Sequence, residues 1–452
     1  MTRSAFWAAI GLLLCTSTSW TADRKPNIVF ILADDLGFGD VGCYGQKVIR
    51  TPNIDRMAAE GLRFTQSYAG STVCAPSRCC LMTGLHTGHC RVRGNARVPL
   101  EPGDRTVAEV LKDAGYATGL CGKWGLGEAD STGVPNRKGF DFFFGYLNQY
   151  HAHNYFPDFL WKNQQKVAVP NEVKDNVATR KAVYSPDLVI KEAIGFVEAN
   201  KDRPFFLYFA PTLPHANNEA KKEGMEIPSD APYSAERWPQ AQKNHAAMIT
   251  RLDADVGKLL DKLQSLRLDG DTIVFFSSDN GPHREGGGDP AFFHSSGPLR
   301  GIKRSMTEGG IRVPMVVRWP GRVRPGTSDF VWAFWDFLPT AAELAGARPP
   351  GELDGKSVAP VLLGTGTVKP HDFLYWEFHE QGSKQAVRTG DWKAIRTKPG
   401  GPIELYDLAK DLGETKNVAA EQPDVVTRVE AYLKTARTES KEWPLRAGKE
   451  RK

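Results

Sequence analysis

The chain has 452 residues, 41% hydrophobic and 25% charged, with a formal net charge of +5. That composition excludes wholesale disorder, and so mild a charge, with no basic block interleaved with aromatics, suits an anionic ligand and excludes a dedicated nucleic-acid binder. The length exceeds one average domain of roughly 100 to 200 residues, which leads us to expect a leader at 1–22, a large domain at 23–350 and a smaller one at 351–452.

At the N-terminus, Arg3 precedes an apolar run from Ala5 to Leu14, the small polar stretch CTSTS, and then Asp23, Arg24 and Lys25. This is the pattern of a secretory signal peptide cut near Ser19 to Ala22. The run falls short of the roughly 20 apolar residues of a membrane-spanning helix. A secreted or periplasmic protein with no stable membrane insertion is therefore expected. Leu14 is too large to precede a lipidated Cys15.

Four apolar runs then read as buried strands: NIVFILA (27–33), FFLYFAP (205–211), TIVFFSS (272–278) and VPMVVRW (313–319). They are continuous rather than alternating, as strands covered on both faces are. Helical patterns lie between them. In DRTVAEVLKDAGY, Val107, Val110, Leu111 and Ala114 share a face and Gly115 closes the helix; in SPDLVIKEAIGFVEAN, Ser185 is the expected N-cap and Pro186 the first helical residue. The fold class that follows is α/β, a large, mixed but mostly parallel sheet sandwiched by helices. After the Pro/Gly-rich GARPPGELDG come short aromatic segments split by turns, then a polar helical stretch over 424–440. These read as a smaller C-terminal antiparallel sheet with a closing helix.

The polar residues that follow the strands carry the chemistry. Asp34 and Asp35 follow the first run, His215 the second, and Asp279 and Asn280 the third. Ligands of open α/β sheets bind at the carboxyl ends of strands. Three aspartates converging there would repel one another without a cation, and an all-oxygen set favours calcium, with magnesium second, over zinc. Asp-Asp and Asp-Asn-Gly are also turn formers.

The stretch STVCAPSRCC holds three of the seven cysteines. Pro76 suits a first helical turn, which places Cys74 at a helix N-terminus with Arg78 one turn on. That setting favours an anion and would lower a thiol's pKa, so Cys74 reads either as a nucleophile or as a buried cysteine of a turn. Cys79 and Cys80 pack beneath the helix. Cys43, Cys74, Cys79, Cys80, Cys90 and Cys121 lack the CxxC spacing of zinc sites.

CAPSR resembles the signature of the type I sulfatases, arylsulfatase A-like members of the alkaline phosphatase superfamily. Other segments resemble that family in order: ADDLGFGD, GYATGLCGKW, APTLPH, SSDNGPH, LRGIKRSMTEGGIRVP and the terminal VRTGDWKAIR…ELYDLAKDLGETKNVA. The resemblance implies that Cys74 is oxidised to formylglycine by a dedicated maturation machinery. It implies that Asp34, Asp35, Asp279, Asn280 and modified residue 74 bind calcium, and that Arg78 holds the formylglycine hydrate. Lys123 and Lys303 would grip the sulfate, and His215 would act near the leaving group. The hydrate, with Asp279 as base, would attack sulfur and expel an alcohol protonated by His215 or Lys303; the second hydroxyl would then release sulfate.

The implied substrate is a sulfated glycan or small molecule, a carbohydrate before a phenol. The alternatives are a superfamily phosphodiesterase or phosphonate hydrolase, and a protein that binds sulfated glycans without turnover. One position departs from the pattern: where the family usually has histidine two residues after Lys123, this chain has Gly125. His151 and His153 are candidates to fill that role as substrate contacts, against the alternative of a surface or core-lining pair. His283 and His379 are further candidates, Trp376 and Phe378 read as sugar platforms or core, and Lys221 and Lys222 as a solvated rim.

Overall fold

Every residue of the Asn27–Ala33 run is buried in a strand, and its side chains alternate between two apolar layers. Ile28, Phe30 and Leu32 enter one layer and Val29, Ile31 and Ala33 the other, which is why the run is apolar without alternation. Each of the larger side chains, Ile28 to Leu32, contributes about 1.5–3 kcal/mol on burial. The computed structural model describes residues 25–448, so the expected leader and its cleavage site lie outside the described residues.

The strand is central in an eleven-stranded sheet. Strands Thr272–Ser278, Asn27–Ala33, Phe205–Ala210, Ala117–Lys123 and Phe142–Tyr146 run parallel in that spatial order. Arg312–Arg318 is antiparallel to Thr272–Ser278 and to Leu62–Tyr68, so the sheet is mixed and mostly parallel. Helices Pro52–Ala59, Ser185–Ala199 and Gln240–Ser265 pack on one layer, and Cys74–Thr83, Val107–Asp113 and Phe337–Leu344 on the other.

Local signals behave as their chemistry dictates, with two corrections. Helix Val107–Asp113 opens on a Thr106/Glu109 capping box, and Gly115, at φ +88°, returns its N–H to the Lys112 carbonyl at 2.9 Å. Ser185 is not the N-cap: Tyr184 is, and Pro186 is the second helical residue. The Ser185 hydroxyl donates instead to the Tyr155 carbonyl at 2.9 Å and accepts from the Tyr146 hydroxyl at 2.6 Å.

Strands Leu374–Phe378, Lys384–Thr389, Trp392–Arg396 and Ile403–Asp407 form a separate antiparallel sheet. The closing helix is shorter than 424–440, spanning Pro423–Leu433. Beyond it Thr438 gives its N–H to the Gly88 carbonyl at 3.1 Å, a tertiary bond that replaces further helix. All six cysteines among the described residues are unpaired. Cys79 and Cys80 are fully buried beneath their helix. No helix among the described residues is long and apolar enough to cross a membrane.

Candidate active site

Four adjacent parallel strands deliver residues to one point. Asp279 follows Thr272–Ser278, Asp34 and Asp35 follow Asn27–Ala33, His215 lies beyond Phe205–Ala210, and Lys123 ends Ala117–Lys123. Backbone bonds lock these ends together: Asp279 N–H to the Ala33 carbonyl at 3.1 Å, and Asp34 N–H to the Leu213 carbonyl at 3.0 Å. Asp35 takes a left-handed backbone, φ +65°, and its N–H meets Asp279 Oδ1 at 3.1 Å. Aspartate tolerates that conformation better than most residues.

Cys74 is the first residue of the helix Cys74–Thr83, which is buried throughout. Its Sγ and carboxylate oxygens of Asp34 and Asp279 lie within 4.8 Å of one another. Arg78 Nε and Nη2 donate to Asp279 Oδ2 at 3.0 and 2.8 Å, while Nη1 donates to the Lys123 carbonyl at 2.8 Å. Lys123 Nζ is 2.7 Å from Asp34 Oδ2, and Lys303 Nζ is 2.7 Å from Asp35 Oδ2 and 3.1 Å from Glu285 Oε2.

The expected repulsion among the three aspartates is therefore offset by Arg78, Lys123 and Lys303. The fit to a metal rests on the oxygens that remain: Asp34 Oδ1 and Asn280 Oδ1 are buried without a hydrogen-bond partner. Asn280 uses its Nδ2 on Asp35 Oδ1 at 2.7 Å, which orients the amide oxygen as a free acceptor. Two hard oxygen donors beside two more carboxylates suit a divalent cation.

Electrostatics sort these groups. Burial works to raise the Asp34 carboxyl, but Lys123 and Arg78 outweigh it and hold the group well below the usual range. Asp279 goes the other way, raised by burial and by Asp34 despite Arg78. Burial pushes the Cys74 thiol up, which corrects the expectation of a helix-lowered thiolate. The desolvation of a side chain only 2% exposed, with Asp34 and Asp279 beside it, outweighs Lys123 and Lys303. His215 is pushed well down, by burial and then by Lys303. Its Nδ1 lies 2.6 Å from the Ala216 carbonyl, so Nδ1 carries the proton and Nε2 accepts from Lys303 Nζ at 3.2 Å.

Above this floor is a cavity of ≈ 260 Å³ whose lining includes Cys74, His215, Lys303 and His153. Its walls carry the amides Asn95, Asn148, Gln149 and Asn218, and Tyr150 stands 46% exposed at its edge.

The sulfatase family model matches residues 26–347, and that of the N-sulphoglucosamine sulphohydrolase C-terminal region matches 302–441. The chain belongs to the sulfatase family. It is 35% identical to an arylsulfatase of Hemicentrotus pulcherrimus, over 88% of this chain and 72% of that protein. It is 30% identical to an N-acetylgalactosamine-6-O-sulfatase of Bacteroides thetaiotaomicron, over 92% and 94%. Among solved structures, Ps i-CgsB in complex with k-i-k-neocarrahexaose superposes with a TM-score of 0.78 at 30% identity, covering 93% of this chain and 95% of that one. The protein is a sulfuric ester hydrolase.

In this sulfatase the expected histidines separate. His153 lines the cavity, stacks on His215 with ring centroids 4.8 Å apart, and pairs with Glu219 at 2.9 Å. His151 turns away, stacked on Phe159 at 4.3 Å and edge-on to Tyr146. Neither fills the place of a side chain at Gly125. A Cβ there would stand 2.6 Å from Gln149 Nε2, which donates to the Gly125 carbonyl at 3.1 Å, so Gln149 occupies that space beside Arg78.

His283 is buried behind His215, 5.8 Å between centroids, and accepts the Glu285 N–H rather than facing the cavity. His379 borders a larger cavity of ≈ 720 Å³ with Ser383, Trp443 and Arg446, which holds none of the strand-end residues. Trp376 and Phe378 are core, and Lys221 and Lys222 are exposed. Unanticipated participants are Asn95, Gln149 and Glu285; they stand on loops or a short helix start with no apolar periodicity to flag them.

Proposed function

We propose that this sulfatase removes sulfate from a carbohydrate, with residue 74 converted to formylglycine and calcium as the resident cation. The observation that carries this reading is a nucleophile position at the floor of a cavity whose base is cationic and whose walls are amides. The cations suit a sulfate, the amides of Asn148, Gln149 and Asn218 suit sugar hydroxyls, and exposed Tyr150 suits the apolar face of a sugar ring. A relative named for N-acetylgalactosamine-6-O-sulfate hydrolysis and a structure in complex with k-i-k-neocarrahexaose support the same class.

Lys123 and Lys303 bind the sulfate oxygens and offset the negative charge that builds as sulfur is attacked. Asp279, whose raised carboxyl makes it a competent base, takes a proton at the residue 74 side chain while Arg78 holds both in place. His215 keeps its lone pair on Lys303, so the lysine ammonium is the proton source for the departing oxygen and the imidazole orients it. Asp34, Asp35, Asp279 and Asn280 would hold the cation, whose chemistry when bound is Lewis-acid polarisation of an oxygen. Formylglycine supplies, in its hydrated form, a nucleophile with a second hydroxyl. The expected leader fits export to the compartment where such glycans are met.

Purified protein from its own host is tested by an intact peptide mass across residue 74, with parallel assays of sulfated oligosaccharides, an aryl sulfate and a phosphodiester. Replacement of the thiol by an aldehyde and preference for the oligosaccharide are expected. An unmodified thiol, or a dominant phosphodiester rate, overturns the reading.

A further inference from the structure

The helix that presents residue 74 has no cap of its own. Val73, its N-cap residue, offers no side-chain acceptor, although the first N–H groups of a helix need partners. The partner comes from 20 residues downstream: Asn95 Oδ1 accepts the Ala75 N–H at 3.0 Å and the Cys74 Sγ–H at 3.5 Å. One oxygen thus serves both the helix start and the side chain at the reacting position.

The residues leading into Asn95, which is itself exposed, are anchored. Arg93 donates to the Cys90 carbonyl at 2.9 Å, to Glu377 Oε1 at 3.0 Å and to the Thr438 carbonyl at 3.0 Å. A Cβ at Gly94 would stand 2.5 Å from the Trp443 ring, so the indole packs directly on the backbone beside Asn95. Trp443 is itself fixed by its Nε1 bond to the Arg91 carbonyl at 2.9 Å. The C-terminal segment therefore determines where the Asn95 amide stands.

We propose that Asn95 is a positioning residue of the sulfatase reaction, accepting a hydrogen bond from the group at residue 74 and aiming it at Asp34 and Asp279. The proposal rests on the reading of residue 74 given above. With Oδ1 anchored by Ala75 N–H, its remaining lone pair is directed at the residue 74 side chain, which would otherwise be free to rotate. The contact is made to the nucleophile, not the substrate, so its loss should act on kcat and leave KM nearly unchanged.

The test compares wild type, Asn95→Ala and Asn95→Asp, with turnover of a sulfated substrate normalised to the aldehyde content at residue 74 by peptide mass. Asn95→Ala should lower kcat about 10- to 100-fold with KM within about threefold, and Asn95→Asp, which keeps the acceptor, should restore most of it. A second readout needs no turnover: in unconverted protein, the Cys74 S–H stretch is isolated by Raman difference against Cys74→Ala. It should rise in frequency in Asn95→Ala and stay low in Asn95→Asp. An Asn95→Ala kcat within twofold of wild type, an Asn95→Asp kcat as low as that of Asn95→Ala, or an S–H band indifferent to Asn95 overturns the proposal. A wild-type protein with no sulfate-ester turnover would instead sink the functional reading, while the band still decides the role of Asn95.

Discussion

Two clusters of buried charge sit in this molecule, and they are built to opposite rules. Around Glu308 every carboxylate oxygen is engaged. Oε1 meets Lys393 Nζ at 2.9 Å, and Oε2 takes the Tyr68 hydroxyl at 2.5 Å and Arg312 Nη1 at 3.2 Å. The strand-end cluster around Cys74 leaves Asp34 Oδ1 and Asn280 Oδ1 without partners and opens onto a cavity. Glu308 is held well below its ordinary value, because Lys393 and Arg312 outweigh burial. Asp279 is raised, because burial and Asp34 outweigh Arg78. A charge favoured by the fold staples the C-terminal sheet to the main one; a charge disfavoured by it is the one our reading assigns to the reaction.

The sharpest way to break this contrast is a pair of neutral isosteres. Asp279→Asn should lower kcat/KM by about 10³-fold or more, with a smaller stability loss than Glu308→Gln, since burial and Asp34 disfavour the charge that Arg78 favours. Glu308→Gln should do the reverse, costing roughly 3–5 kcal/mol by leaving buried cations unpaired, with kcat/KM per folded molecule within about twofold. Steady-state kinetics and urea unfolding on both variants check this. Equal stability losses would show that the two clusters do not differ in kind.

Cation removal tests the orphaned oxygens next. Chelation should lower turnover about 100-fold or more, and calcium should restore it better than magnesium. Calcium at a hundredfold excess over Kd should also stabilise the fold by about 2.7 kcal/mol. Glu308→Gln should gain as much from calcium as wild type does, and an Asp34→Asn protein much less. A thermal shift that follows Glu308 would place the cation in the wrong cluster.

What the sequence revealed follows the same divide. Strands such as Asn27–Ala33 were legible because burial on both faces leaves an unbroken apolar run, and polar residues immediately after such runs stand out by contrast. Cys74 at a helix start was legible from Pro76. The depth of its burial was not, and that depth reverses the direction of its pKa shift. Asn95 and Gln149 reach the cavity, and Glu285 reaches Lys303 and Arg304 on its lining, only because distant segments pack. Gln149 is visible as a participant only when Gly125 and the helix at 149–152 are seen together. His151 and His153, two residues apart on that short turn, face opposite environments, a distinction that one helical turn without periodicity does not announce.

That last pair yields the smallest effect. Burial depresses the His151 imidazole from 6.5 to about 4. A folded-state value below the unfolded one means that its stability contribution is fully present above pH 6.5 and is lost as pH falls towards 4, by about 3 kcal/mol. His151→Phe keeps the stack on Phe159 and removes the titration. Its urea midpoint should therefore fall less steeply than that of wild type between pH 6.5 and 4. A residual slope remains, because His86, also lowered to about 4 by burial, still titrates. At neutral pH its kcat/KM should lie within about twofold of wild type, whereas His153→Phe, which alters a wall of the cavity, should raise KM. A tenfold KM increase in His151→Phe would return that histidine to the substrate and undo the separation of the two rings.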